Sequence, residues 1–335
     1  DDFFGCYRLD YDVNEVKEAF KWGNYEQIIP NKTFTFKGKQ LTLEEDEHGK
    51  YFLRVYQKEF IDGLSTGKVP RGADLNAKLD TEQKAEFRSV AGCLQWLAAQ
   101  SRPELAPAVS LSNRGDETSL ADLKTLYDAL EFAKRTPDQG LVLPAIPLTK
   151  GSSLISYSES SWATASDCRS QDGALVLLTV PQAAQTPCLG SLIDWKSGRS
   201  TRVCRSTLAA EASAADEACD RAVYCNLFLT EILTGQPAHR AKPMLHHMHV
   251  TDAKSLYDCV VAENPTLTDK RSLVSVRAVQ EVVPPELVHW VPTQWMRADG
   301  LTKVSTELRL ETHNWLQAPW IVLTELASGK RKLYQ

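Results

Sequence analysis

The stretch of sequence that decides the fold is MLHHMHVTDAKSLYD, residues 244–258. Its apolar and β-branched first half predicts a strand over Met244–Thr251, and the residues from Ala253 onward have the spacing of a helix. Asp252 therefore lies where a strand ends and a helix begins. In α/β proteins ligands bind at this edge of the sheet, so Asp252 is the first candidate functional residue.

Strand and helix patterns continue on both sides of this stretch. The resulting order is three strands, a long helix, a strand, helices, a strand and a last helix, which predicts an α/β fold with a mixed five-stranded sheet and flanking helices. The other predicted strands are Ser153–Ser158, Gly173–Val180, Leu189–Trp195 and Glu286–Val291. The other predicted helices are Ser206–Leu233, Leu267–Val283 and Met296–Lys303.

The preceding half of the chain shows two different patterns. Residues 1–66 are predicted to be mixed α/β, and residues 67–150 a linker followed by helices, with a domain boundary near residue 150 where prolines and glycines accumulate. The predicted elements are a helix from Asp12 to Phe20, a hairpin of Thr33–Phe36 with Gln40–Leu43, a strand Tyr51–Tyr56, and helices Gln57–Leu64, Thr81–Gln100 (capped by Thr81), Ser101–Asn113 and Ser119–Arg135.

Composition and charge limit the classes of function. The chain has 335 residues, of which 43% are hydrophobic and 24% charged, as in globular proteins of two or three domains. A net charge of -5 excludes a protein that is basic overall, so a nucleic-acid-binding surface has to be a local patch. No run of about 18 uncharged apolar residues is present, so no membrane span is predicted.

The cysteines indicate an intracellular, reducing compartment. There are eight of them and none forms a CxxC pair, which leaves a zinc ribbon or a redox motif without support and favours buried free thiols. The sequence begins with Asp1 rather than Met, and we interpret it as a fragment or processed product. A targeting signal is therefore not observable, and a cytoplasmic particle and the nucleus are both open.

Four carboxylates are the candidate catalytic and metal-binding residues: Glu159, Glu211, Asp252 and Asp299. Three of them are predicted at the ends of strands or helices. Glu211 instead shares a helical face with alanines, where a carboxylate is costly to bury unless it is paired or binds a cation. The alternative for Glu211 is a side chain turned to solvent or paired with an arginine. Converging carboxylates suit Mg²⁺ or Mn²⁺, which prefer oxygen ligands.

A basic stretch precedes the Glu211 helix and contains no acidic residue. Its members, Lys196, Arg199, Arg202 and Arg205, are predicted to contact a phosphate backbone beside the metal site. The alternative is a solvated hairpin, which is the usual role of a short charged run.

Other motifs carry less information. His246, His247 and His249 cluster on one predicted strand, but no further zinc ligands lie nearby, so we interpret them as ordinary strand residues. Tryptophans at strand ends favour packing over base stacking. No glycine-rich phosphate loop followed by GK[ST] is present, so a nucleoside-triphosphate hydrolase is unsupported.

Several motifs, in order and with their spacing, resemble a known family. The chain is similar to the C-terminal part of the reverse transcriptase and the ribonuclease H domain of copia-type (pseudovirus-like) retrotransposon polyproteins. The motifs in the second half are SYSESSWA (156–163), DWKSGRSTRVCRSTLAAEASA (194–214), VTDAKSLYD (250–258) and VPTQWMRADGLTK (291–303). Those in the first half are DDFFG (1–5) and FRSVAGCLQWLAAQSRPELAPAVSLSN (87–113).

The resemblance implies a domain organisation. Residues 1–66 would be a partial palm and thumb region of the polymerase, 67–150 a helical connection region, 151–304 a ribonuclease-H-like domain and 305–335 a C-terminal extension. Asp1 and Asp2 match the paired aspartates of the polymerase palm, so the upstream polymerase segments would be a partner and this chain alone should not polymerise DNA.

The resemblance also implies a chemistry. The family's ligands for two Mg²⁺ or Mn²⁺ ions map to Glu159, Glu211, Asp252 and Asp299, and the activity is two-metal cleavage of the RNA strand of an RNA–DNA hybrid. The first of these ligands is normally aspartate, and the extra methylene of Glu159 moves its carboxylate by about 1 Å, a displacement that can cost about 100-fold in rate. The alternative functions are a catalytically decayed, domesticated remnant that acts as a structural or binding subunit, and a transposase or junction nuclease on the same fold.

Overall fold

The computed structural model describes residues 12 to 323, except 22, 24, 238 and 241, together with Gly5. Asp1 and Asp2, the proposed polymerase pair, lie outside the described residues. The first half forms one part that is rich in strands and one part that is helical. Their elements are α1 (Asn14–Ala19), β1 (Thr33–Phe36), β2 (Lys39–Glu45), β3 (Tyr51–Tyr56), α2 (Lys58–Asp62), α3 (Thr81–Gln100), α4 (Ala106–Ser112), α5 (Leu120–Arg135) and β4 (Leu141–Pro144).

The second half contains the predicted larger sheet. Its elements are β5 (Ser153–Ser161), β6 (Gln171–Thr179), β7 (Cys188–Leu189), β8 (Ser191–Arg199), α6 (Thr207–Thr234), β9 (His246–Thr251), α7 (Lys254–Val261), α8 (Lys270–Val282), β10 (Val288–Trp290), α9 (Thr306–Gln317) and β11 (Trp320–Ile321). No helix in the described part of the chain combines the length and the apolar character needed to cross a bilayer.

The first sheet is antiparallel, in the order β1-β2-β3-β4. The predicted hairpin is confirmed, since β1 and β2 pair around Lys37 and Gly38, which both have the positive φ that tight hairpin turns require. Strand β4 comes from the proline- and glycine-containing segment where the domain boundary was predicted, and it pairs with β3. Gly140 allows this approach, because a Cβ there would lie 2.1 Å from the Val55 carbonyl oxygen. Residues 1–66 and 67–150 thus share one sheet.

Helices α3, α4 and α5 pack around a separate apolar core. Its centre consists of fully buried leucines that recur at helical spacing, namely Leu94, Leu97, Leu105, Leu126 and Leu130. The predicted helix Thr81–Gln100 is confirmed, but Asp80 rather than Thr81 is its N-cap. The Asp80 side chain accepts from the Gln83 amide while the Gln83 side chain accepts from the Asp80 amide, a capping box.

The second sheet is mixed, as predicted, in the order β10-β9-β5-β6-β8. Strands β5, β9 and β10 are parallel to one another, whereas β6 runs antiparallel to both β5 and β8. One face of the sheet packs against the long helix α6 through Leu154, Val176 and Ala222. The opposite face, which includes Ile155 and Tyr157, shares its core with the first sheet.

The prediction that Met296–Lys303 starts the last helix was wrong. These residues include a short 3₁₀ turn, Asp299–Leu301, and the final α-helix is α9, which Ser305 caps. The turn packs closely against α9 at Gly300, because a Cβ there would lie 1.9 Å from Thr312 Oγ1. A side chain at this position would overlap α9. Helix α9 lies in the segment predicted to be a C-terminal extension, and Trp315 and Leu316 bury it in the shared core.

A buried ion pair connects α9 to the helical part. The Arg102 guanidinium donates to Glu104 Oε1 at 2.6 Å, and His313 of α9 shares the same oxygen at 3.1 Å. Burial by itself would raise the pKa of Glu104, but the Arg102 charge and the contact with His313 hold that pKa below its usual range. The carboxylate is therefore ionised beside the Arg102 charge, although its Oε2 is buried without a hydrogen-bond partner.

Glu104→Gln should destabilise the protein by roughly 3–5 kcal/mol, because the buried Arg102 charge loses its partner. Chemical denaturation followed by circular dichroism measures the free energy of unfolding. Lys124→Met is the control, since it removes the exposed Lys124–Asp128 pair and should cost no more than about 0.5 kcal/mol. Equal effects of the two substitutions would contradict a structural role for the buried pair.

Candidate metal centre

The parallel pairing of β5 with β9 places Glu159 next to Asp252. Tyr157 pairs with Val250, and two residues further along each strand the charge of Asp252 acts on the Glu159 carboxyl group. Trp290 Nε1 donates to the Asp252 carbonyl at 2.8 Å and holds the backbone at this point.

Helix α6 adds Glu211 to the same edge of the sheet. Ser206 caps the helix, and the Ser160 amide of β5 donates to Glu211 Oε1 at 3.3 Å. The Glu211 side chain belongs to the buried face of the helix beside Ala212 and Ala215, and the residue is only 8% exposed. It is thus neither turned to solvent nor held by one of the ion pairs seen in the described residues.

The electrostatics of these acids are unfavourable as they stand. Burial, followed by the charges of Glu211 and Asp252, raises the pKa of Glu159 well above its usual value. Burial and the Asp252 charge likewise raise the pKa of Glu211. Glu159 Oε2 and Glu211 Oε2 are buried and have no hydrogen-bond partner. Buried oxygens without donors are costly, so the negative charge at this edge of the sheet is not fully compensated.

Asp299 reaches the cluster from the opposite face of the sheet, on the 3₁₀ turn. Gly173 of β6 permits this, because a Cβ there would lie 3.0 Å from the Ala298 carbonyl oxygen and 2.9 Å from Thr302 Cγ2. Lys303 donates to Asp299 Oδ1, and its Nζ is 3.9 Å from Glu159 Oε1. Sequence reasoning missed Lys303, although its position four residues after Asp299 was a usable signal.

Asp172 is a further acid that sequence reasoning missed. Its Oδ1 accepts from Ser160 Oγ at 2.7 Å, its pKa is raised by burial, and its charge contributes to the raised pKa of Glu211. The predicted strand began at Gly173, one residue too late to include it. Asp172 orients Ser160, whose amide in turn holds Glu211.

The basic stretch makes contacts within the protein. Lys196 pairs with Glu217 of α6, and Arg199 donates to the Ser110 carbonyl at 3.1 Å and to the Asn113 carbonyl. Arg202 reaches Ser275 Oγ at 3.4 Å, and the Arg205 charge lies near exposed Asp269. These contacts attach β8 to the helical part and the loop before α6 to α8. Binding of nucleic acid by these residues stays a prediction.

Two histidines of the cluster, His247 and His249, form a buried hydrogen-bonded network with serines, whereas His246 is exposed. Ser156 Oγ lies 2.8 Å from His247 Nε2 and 2.9 Å from His249 Nδ1, and Ser158 Oγ lies 3.2 Å from His249 Nε2. Burial lowers the pKa of His247 to about 4 and that of His249 to about 3, so both rings are neutral. They act as polar groups within the core of the sheet.

As they stand, no three acidic, histidine or cysteine side chains in the described part of the chain surround a common point as metal ligands. One of the four candidate acids, Asp299, is instead paired with Lys303. The donor set nevertheless fits a divalent cation, because it consists of carboxylate oxygens, two of them buried and unpartnered.

Comparisons with known proteins add little to this description. No family model matches the chain. A ribonuclease H1 isolated from compost by a metagenomic approach is a similar solved structure, with 15% sequence identity and a TM-score of 0.31, covering 47% of this chain and 98% of its own. Values this low support no argument about function. The mixed five-stranded sheet with flanking helices is consistent with a ribonuclease-H-like fold.

Gly173→Ala should destabilise the protein by about 1–3 kcal/mol, because the new methyl group overlaps the turn that carries Asp299. Urea denaturation measures the loss. Gly92→Ala is the matched control on an exposed position of α3, where nothing lies within 4 Å of the new Cβ, and it should stabilise by up to about 1 kcal/mol. If the Gly173→Ala protein is as stable as the parent protein, the turn is free to move away from β6.

Glu211→Gln should make the stability of the metal-free protein less dependent on pH. Folding raises the pKa of Glu211, so the protonated form is favoured in the folded state. The stability that the protonated Glu211 contributes is fully present below the ordinary glutamate pKa of about 4.3. It is lost as the pH rises through the pKa of Glu211 in the folded protein. Urea unfolding at a series of pH values should show a smaller fall for Glu211→Gln. Glu82→Gln, at an exposed position of α3, should keep the parent dependence, and an equal fall in all three proteins would refute the effect.

Proposed function

We propose that this protein is the ribonuclease H portion of a copia-type reverse transcriptase and cleaves the RNA strand of RNA–DNA hybrids with divalent metal ions. The observation that carries the proposal is the pair of unpartnered, buried oxygens on Glu159 and Glu211 beside Asp252. A buried structural acid normally lies against a positive charge, as Glu104 does against Arg102. Buried acids that lie beside other acids and have strongly raised pKa values are instead typical of functional sites.

Glu159, Glu211 and Asp252 would hold two Mg²⁺ or Mn²⁺ ions, and Asp299 would complete the site. When bound, these ions would neutralise the phosphodiester and activate water for its hydrolysis. The protein positions the acids that would hold these ions. The Ser160 amide orients Glu211, the Trp290 indole fixes the Asp252 backbone, and the turn at Asp299–Leu301 brings the fourth acid to the sheet edge.

The surface beside the acids suits a nucleic acid that is recognised by shape. Trp162 follows Glu159 by three residues and is 45% exposed, and its Nε1 donates to the Cys204 carbonyl at 2.9 Å. The indole is therefore held by its edge while part of its surface is open, so it can pack against a sugar or a base. An RNA–DNA hybrid would be read through its backbone, its shape and its 2′-hydroxyl groups.

The proposed setting follows from the resemblance to retrotransposon polyproteins. The upstream polymerase segments would be the physical partner of this chain. All seven cysteines of the described residues are free thiols, which suits an intracellular, reducing compartment such as a cytoplasmic particle or the nucleus.

A second candidate is a domesticated remnant that serves as a structural or binding subunit. Two observations favour it. Lys303 already provides a positive charge next to Asp299 and Glu159, and Lys196 and Arg199 are engaged by protein groups. A glutamate at position 159, where aspartate is usual, adds to the case.

Cleavage of a hybrid with a labelled RNA strand, in Mg²⁺ or Mn²⁺, tests the first candidate. Asp252→Asn should lower the rate at least about 100-fold, the loss that a displaced catalytic geometry alone can cause. Asp258→Asn is the matched control, because Asp258 is exposed, lies on the neighbouring helix α7 and pairs only with Lys254. Cleavage that persists in Asp252→Asn, or is absent from the parent protein, would remove this proposal.

Glu159→Asp separates the two candidates. Cleavage that appears only in this variant would identify a decayed site, which supports the subunit role. An active parent protein would remove the reason for that role.

A further inference from the structure

We infer that Lys303 is the resident counter-cation of the carboxylate cluster, and that a divalent metal ion binds there by displacing its ammonium group. This inference rests on the proposed metal site. In the absence of metal, Lys303 compensates part of the negative charge of the acids, and its displacement lowers the affinity of the site for the metal.

The position of Lys303 supports this role. Its Nζ donates to Asp299 and lies 3.9 Å from Glu159 Oε1, so it joins an acid of the 3₁₀ turn to an acid of β5. Both ion pairs that reach the four acids within the described residues are made by this one side chain. The Lys303 side chain is 42% exposed, whereas those of Glu159 and Asp299 are 9% and 11% exposed. The lysine can therefore leave toward solvent without disturbing the core.

The compensation that Lys303 provides is incomplete. A single ammonium carries one positive charge, and Glu159 Oε2 and Glu211 Oε2 still lack partners. The charge of Asp252 also still acts on Glu159 beside it. A divalent cation would supply twice the charge and would accept several oxygen ligands at once.

The ammonium and a divalent cation exclude each other. Like charges a few ångströms apart in a partly buried site repel strongly, and Asp299 cannot serve both partners with the same oxygen. Metal binding therefore has to break the Lys303–Asp299 pair, and the intrinsic affinity of the site is reduced by the free energy of that pair. Lysine suits this role because its long flexible stem lets the charge move while the backbone stays in place.

The test is calorimetric titration of the full chain with Mn²⁺ or Mg²⁺. Lys303→Met should bind the metal roughly tenfold more tightly than the parent protein, a change of the size usual for coupled binding sites. Lys303→Arg keeps the charge and should stay within about twofold of the parent. Lys124→Met should also leave the affinity unchanged, because it removes a lysine–aspartate pair with the same four-residue spacing on α5.

Thermal unfolding gives a readout that does not depend on the titration. Without metal, Lys303→Met should melt below the parent protein, since the acids lose their only cation among the described contacts. Saturating Mn²⁺ should raise its melting temperature by more than it raises that of the parent. Lys303→Gln carries the same expectations and replaces Lys303→Met if the latter does not fold.

The failures of the two proposals are distinguishable. If the parent protein binds metal and Lys303→Met binds it equally or more weakly, the counter-cation role is overturned while the metal site stands. If neither protein binds metal, both are overturned, because removal of the competing charge should have exposed any site that the lysine covers.

Discussion

The mutual repulsion of buried carboxylates at one edge of the second sheet is the constraint on which the rest of the structure depends. Glu159, Glu211 and the half-buried Asp252 come from three separate parts of the chain, and the two glutamates would ionise more readily in water than beside the other acids. The fold holds them together through contacts that are favourable elsewhere: the parallel pairing of β5 with β9 and the packing of α6 on the sheet.

The same molecule shows what a structural acid looks like when its charge is compensated. Glu104 is fully buried, but Arg102 and His313 surround it and lower its pKa. Glu159 and Glu211 are almost as buried and their pKa values move the opposite way. Burial is similar in the two cases, so the neighbouring charges decide the direction: the Arg102 cation lowers the pKa of Glu104, whereas other acids raise the pKa values of Glu159 and Glu211. This contrast separates an acid that stabilises the fold from acids whose charges repel one another.

The strands and long helices could be predicted because local periodicity reports burial. Helices α3 and α6 and the strands of the second sheet follow this pattern closely. The prediction failed where packing overrides local preference. The segment Met296–Lys303 has helical composition, but Gly300 packs against Thr312 and leaves a 3₁₀ turn. Strand β4 has only four residues, the last of which is a proline, and pairing with β3 alone makes it a strand.

The sequence by itself determined the order of elements, the mixed α/β class and the four candidate acids, because each of these follows from a residue's near neighbours along the chain. Only the tertiary structure decided how the charges are paired. It brought Lys303 to Glu159, Ser160 to Glu211 and Arg199 to Ser110, which lie far apart in sequence. Pairings of this kind depend on which elements pack together, and no local pattern encodes them.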